Sequence, residues 1–194
     1  GTLTLADAQV NDLPAVQFRS NGYADIVGTM FAKEHYIVMS APAELWSNCG
    51  GFLGRSSGRG SNYLTQNGDT GFHDNQYPLG VSRNGTSLMS PFSLAPINEY
   101  MLVKITVNDG DINAASYQIG RADGYSCDWD VAEIIGYKSP LSSEDEFAMT
   151  SYLGAKYGIV LPPTYRWQGP NNGNWSDGGN WNSLVPGASD TAVL

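Results

Sequence analysis

The sequence predicts an all-β fold: an antiparallel two-sheet β-sandwich with one short helix towards its C-terminal end. Three observations carry that expectation. Apolar residues come in short runs that alternate with polar ones at the period of a strand. Gly, Asn and Asp clusters interrupt those runs every few residues, as turns do. Charged residues make up only 15% of the 194 positions, against 23 glycines and 11 tyrosines, a profile of many short strands rather than of helices. Hydrophobic residues, at 41%, supply a core and exclude a disordered chain.

The elements follow in order. The opening residues read as strand. Leu13 to Phe18 alternates, with Leu13, Ala15 and Gln17 on one face and Val16 and Phe18 on the other. Asn21-Gly22 marks a turn before a strand over Tyr23 to Val27, and His35 to Met39 is dense enough in β-formers to be a central strand. From 46 to 90 the chain is a glycine-punctuated meander, with short strands at Phe52–Arg55, Ser61–Leu64 and Leu79–Arg83, the last entering a type I′ turn at Asn84-Gly85. Tyr100 to Val107 is the strongest strand; Ala115–Ile119 and the long Asp128–Tyr137 run follow. One helix is expected, N-capped by Ser143 with Glu146 completing a capping box, Met149, Leu153 and Tyr157 on its apolar stripe with Tyr152 flanking, and Gly158 as the stop. Pro162-Pro163 closes this domain, giving a boundary between 1–161 and 162–194, where Trp167, Trp175 and Trp181 stand among Gly, Asn and Asp.

The formal net charge of −9 repels phosphate backbones and anionic lipid, so nucleic acid is not an expected partner. No run approaches the roughly 20 apolar residues of a membrane helix, so no membrane insertion is expected. The chain opens on Gly1 without a signal peptide and reads as a mature product or an excised piece. Two cysteines, Cys49 and Cys127, suit one disulfide in an oxidising compartment, with two buried thiols as the alternative. With only two histidines, His35 and His73, they lack the close spacing of a zinc site.

The run Asp130-Val131-Ala132-Glu133-Ile134-Ile135-Gly136-Tyr137, then Ser139-Pro140-Leu141-Ser142 and Tyr152-Leu153-Gly154-Ala155-Lys156-Tyr157-Gly158-Ile159, resembles the closing segment of bacterial concanavalin A-like/laminin G-like domains. Phe52–Arg55, Tyr63-Leu64 and Gly80–Gly85 look like the middle strands of that family, and the resemblance covers roughly residues 10 to 160. It implies a jelly-roll sandwich, lectin-like in function. The tail, with Trp167-Gln168-Gly169, Gly173-Asn174-Trp175-Ser176-Asp177, Asn180-Trp181 and Asp190-Thr191-Ala192-Val193, looks like one truncated unit of the Trp-rich repeats of autotransporter-like surface proteins. That second resemblance implies a secreted or bacterial cell-surface parent, with further covalently linked domains that include β-solenoid segments.

Two chemistries compete for the candidate residues. Asp128-Trp129-Asp130-Val131-Ala132-Glu133 is similar to the Glu-x-Asp-x-x-Glu motif of sandwich-fold family-16 glucanases, Asp130 and Glu133 matching and Asp128 replacing the first Glu. The resemblance would make Asp128 the nucleophile, Glu133 the acid/base and Asp130 the residue between them. Retaining glycosidases need carboxyls about 5 Å apart, and Asp128 is one methylene short. Without a β-bulge, moreover, Glu133 points away from the face that Asp128 and Asp130 share.

The other chemistry is non-covalent. Sugars are held by aromatic stacking and by planar polar side chains. Trp46, Tyr63, Tyr77, Tyr125 and Trp129 are candidate platforms, and Arg55, Arg59, His73, Asp74, Asn75, Gln76 and Arg83 candidate polar partners, with Phe72 to Tyr77 richest in both. Calcium is the one cofactor under consideration, with Asp123, Asp128 and Asp130 as its candidate cluster, because laminin G domains often carry such a site at the sandwich rim. The expectation is therefore a non-catalytic carbohydrate-binding or adhesive module whose partner is a polysaccharide or glycan. A glycoside hydrolase and a ligand-free structural spacer are the alternatives.

Overall fold

A computed structural model of the chain describes residues 1–27, 32–41, 50–55, 63–64, 78–89, 92–107, 117–182, 185–187 and 192–193. It divides into two compact units, Gly1–Leu161 and Pro162–Leu194. In the first unit the strands are β1 (Thr2–Val10), β2 (Leu13–Arg19), β3 (Ala24–Asp25), β4 (Glu34–Ser40), β5 (Gly51–Arg55), β6 (Tyr63–Leu64), β7 (Pro78–Arg83), β8 (Thr86–Ser87), β9 (Met101–Val107), β10 (Tyr117–Ile119), β11 (Arg121–Ala122), β12 (Tyr125–Ser126) and β13 (Trp129–Tyr137). The helix α1 (Ser143–Tyr157) follows.

The strands form a seven-stranded sheet in the order β1-β2-β13-β4-β9-β7-β8 and a four-stranded sheet in the order β3-β10-β5-β6, with β11 and β12 as a separate hairpin. Every pairing in the two main sheets is antiparallel. One apolar cluster draws Phe18, Ile37, Met39, Val103, Ile105 and Trp129 from the large sheet and Phe52, Leu53 and Tyr117 from the small one. It is the interior of a β-sandwich, each sheet burying the apolar half of its alternation against the other. A second cluster, with Tyr36, Val38, Leu102, Leu153 and Tyr157, packs α1 onto the outer face of the large sheet. The centre of that sheet is thus covered on both sides. This is why all seven residues of β4 are buried and why its sequence is a near-continuous β-forming run.

Glu34 is only 1% exposed yet charged. It survives burial because Lys104 stands 3.2 Å from Oε2 and the Tyr36 hydroxyl donates to Oε1 at 2.9 Å. Lys104 also reaches Glu146 of α1 at 2.6 Å, so the same lysine ties sheet to helix. A buried carboxylate without such partners would carry a desolvation cost of several kcal/mol.

Several local expectations shift. The helix is capped by Ser142, one residue before Ser143: its hydroxyl accepts from Asp145 N at 3.1 Å, and Asp145 takes the place expected of Glu146. Gly158 ends it at φ 66°, as a left-handed cap. Tyr152 is exposed, beneath the Lys156 ammonium. The Asn84-Gly85 turn has φ 50° and 81°, the type I′ signature, whereas the turn expected at Asn21-Gly22 centres on Ser20 and Asn21, with φ 51° and 66°. Between 23 and 27 only Ala24–Asp25 pairs as strand.

The second unit has a short strand, β14 (Tyr165–Arg166), paired in parallel with β15 (Ala192–Val193). Trp167 and Trp181 form an isolated antiparallel bridge, and the rings of Trp167, Trp175 and Trp181 pack together, Trp175 and Trp181 edge to face at 4.4 Å. Asp177 caps the 3-10 turn Gly178–Asn180 by accepting from Gly179 N at 3.0 Å. So short a segment has little apolar area, and the indoles supply it.

Candidate functional site

β13 carries the carboxylates. Val131 pairs with Met39 and Glu133 with Val38, so one extra residue enters at Ala132 and the strand bulges. Trp129, Val131 and Ile134 face the sandwich interior, while Ala132 and Ile135 join the cluster under α1. The bulge therefore turns Glu133 to the outer face, the face of Asp130, against the expectation that the two would point apart.

Sharing a face does not make them a catalytic pair. Asp130 is buried and bound: Arg19 Nη2 lies 2.5 Å from Oδ1, and Gln17 Nε2 donates to Oδ2 at 3.1 Å. Arg19 is itself pinned to the backbone, donating to the carbonyls of Phe18 and Trp129 at 2.8 and 3.0 Å. Glu133 accepts from Lys156 Nζ of α1 at 3.0 Å, and that contact raises the lysine's pKa. Asp128 Oδ1 accepts from Ser20 N at 2.9 Å and so braces the β2–β3 turn. Each carboxylate closes a contact between elements, and a glycosidase acid or nucleophile must instead face a sugar.

The three aspartates proposed for calcium are also apart in role. Asp123 sits in the β11–β12 turn at φ 47°, and among the described residues no three acidic, His or Cys side chains converge on a common point. Calcium needs six to eight oxygens, so this cluster is not brought together.

Trp129 is no platform. It is 0% exposed, stacked on Phe18 at 5.5 Å and against Phe52 at 5.4 Å. Its place at the start of β13, facing inward, makes it the centre of the core. Arg83, at the end of β7, donates to Glu99 and to the Pro96 carbonyl. Arg55 ends β5 and Tyr63 opens β6. Tyr125 is 45% exposed in the β11–β12 hairpin. His73, Asp74, Asn75, Gln76 and Tyr77, with Trp46, Arg59 and Cys49, lie outside the described residues. Cys127 is a buried thiol with Sγ 3.5 Å from the Gly51 carbonyl. Burial, and then the charge of Asp128, push its pKa up.

The structure adds a region that the motifs did not flag. Gln17, Asp130 and Ser40 are successive partners across β2, β13 and β4. Since Met39 pairs with Met101, Tyr100 continues the row beside Ser40. The result is a largely buried polar line across the outer face of the sheet. Burial, reinforced by the charge of Asp130, raises the Tyr100 pKa, with Ser40 and Arg19 opposing. Next to it opens a cleft of about 410 Å³, lined among others by Asn11, Asn84, Glu99, Tyr100 and Tyr157. Comparison of the chain with protein-family models, with curated proteins and with solved structures found no match. The reading of function therefore rests on this geometry. Tyr100, Asn84 and Glu99 escaped notice because their neighbourhood exists only once β9 is known to pair with both β4 and β7.

Proposed function

We propose that the 1–161 unit is a non-catalytic carbohydrate-binding or adhesive module of concanavalin A-like, laminin G-like type within a larger secreted or surface protein. The observation that carries this reading is the commitment of Asp130 to Arg19 and Gln17, and of Glu133 to Lys156. It removes the carboxylates that a sandwich glucanase would need while leaving a polar, aromatic-lined cleft on the same sheet. A net charge of −9 favours a neutral glycan over an anionic one. The parallel pairing of Tyr165–Arg166 with Ala192–Val193 supports reading the tail as a solenoid-type repeat, since parallel pairing of successive coils is how such repeats stack.

The test is a glycan array probed with the whole chain, run beside a reducing-sugar release assay on the glycans that bind. Binding without release is the expected result. Release abolished by Glu133→Gln would instead establish the hydrolase, and no binding to a broad neutral and acidic set would leave the spacer.

A further inference from the structure

We propose that the cleft between the C-terminal end of α1 and the β7–β8 turn is the glycan subsite, holding one neutral sugar unit against the Tyr100 ring. This rests on the carbohydrate-binding reading above and locates it. The cleft volume of about 410 Å³ falls at the lower end of small-ligand sites, which run from roughly 300 to 1,000 Å³, so it suits a short unit of a chain rather than a long stretch.

Tyr100 is built as a fixed platform. Its ring lines the cleft and is half-buried. Its hydroxyl is fully covered, next to Ser40 and within the field of Asp130 and Arg19. An aromatic ring whose polar tip is buried below and whose side lines an open cleft can stack on the apolar face of a pyranose at little entropic cost. The rim supplies planar polar groups that are already oriented. Asn84 Oδ1 accepts from Leu102 N at 2.8 Å, which fixes the amide and leaves its NH₂ as donor. Asn11 Nδ2 donates to the Lys156 carbonyl at 2.9 Å, which leaves its oxygen as acceptor. Glu99 is held by Arg83, so its second oxygen can accept from a hydroxyl while the pair contributes no net charge. A fixed donor, a fixed acceptor and a charge-balanced carboxylate around one ring match vicinal hydroxyls, and none of the described residues lining the cleft is a Lys or Arg that would compensate an anionic sugar.

The experiment uses the whole chain and the neutral glycan that binds best on the array. Affinities are measured by calorimetry for the native chain, Tyr100→Ala and Tyr100→Phe, with thermal melts to confirm folding. Tyr100→Ala should weaken binding about tenfold or more, as loss of a central aromatic does. Tyr100→Phe, which keeps the ring and loses only the covered hydroxyl, should stay within about threefold. If Tyr100→Ala fails to fold, amide shifts of the ¹⁵N-labelled native chain titrated with the same glycan decide. Shifts at Asn11, Asn84, Glu99, Tyr100 and Gly158 uphold the site, and shifts confined elsewhere overturn it. Undiminished binding by a folded Tyr100→Ala also overturns the site and leaves the module reading intact. A preference for acidic glycans overturns the site's neutral specificity. A native chain that binds no glycan brings down the module reading itself, and the subsite with it.

Discussion

Acidification from about pH 7.5 to pH 5 should cost the sandwich about 2 kcal/mol through a single side chain, His35. His35 is 0% exposed in β4, and burial lowers its pKa from 6.5 to about 4. Burial disfavours the imidazolium, so in the folded chain the ring stays neutral well below the pH at which the unfolded chain takes up its proton. Above pH 6.5 the ring is neutral in both states and the contribution to stability is complete. As pH falls from 6.5 towards 4 the unfolded state alone gains a proton, and unfolding becomes easier. The whole interval corresponds to about 3 kcal/mol, of which about 2 is lost by pH 5.

The measurement is urea unfolding at the two pH values for the native chain and for His35→Gln. Any other acid dependence is common to both proteins. The difference between the two pH differences isolates His35. His35→Gln lowers stability at neutral pH in its own right; only its flatter pH response bears on the argument. Equal pH responses in the two proteins would refute it, because the imidazole would then be taking up its proton equally readily in the folded state.

Three further outcomes follow from the same structure. Trp129→Ala should cost about 3–5 kcal/mol in chemical denaturation, since the ring is wedged between Phe18 and Phe52; a loss well under 1 kcal/mol would return it to the surface. Gly158→Ala should cost about 1–2 kcal/mol from left-handed backbone strain alone, because a Cβ there meets Asn11 only at ordinary distances of 3.4 Å and beyond; a thermal melt unchanged from the native chain would contradict the cap. In a Cys49→Ser background, Cys127 should resist thiol reagents in the folded protein and react fully in denaturant, since its burial raises the thiol's pKa; rapid native-state labelling would show the site to be open.

The bulge in β13 separates face from function. It brings Asp130 and Glu133 to one side, as a sandwich glucanase would require, yet each is spent on holding elements together. Glu133 with Lys156 fastens the helix end, and Asp130 with Arg19 and Gln17 fastens β2 to β13. A motif that names residue types cannot distinguish a carboxylate facing a ligand from one facing a guanidinium.

Local chemistry was legible in the residues themselves. Alternation placed Val16 and Phe18 opposite Leu13 and Gln17. The dense run at His35–Met39 announced a central strand, Asn84-Gly85 its I′ turn, and Gly158 the end of the helix. These are short-range consequences of side-chain size, branching and allowed φ, and they need no partner to be read. What tertiary structure alone decided was adjacency. A sheet order that places β13 between β2 and β4, and β9 between β4 and β7, makes neighbours of Gln17, Asp130, Ser40 and Tyr100, residues that lie far apart along the chain. One inserted residue at Ala132 then chose which side of the sheet Glu133 faces. Both depend on pairing between strands far apart in sequence, a free energy summed over the whole sandwich, and so no window of sequence contains them.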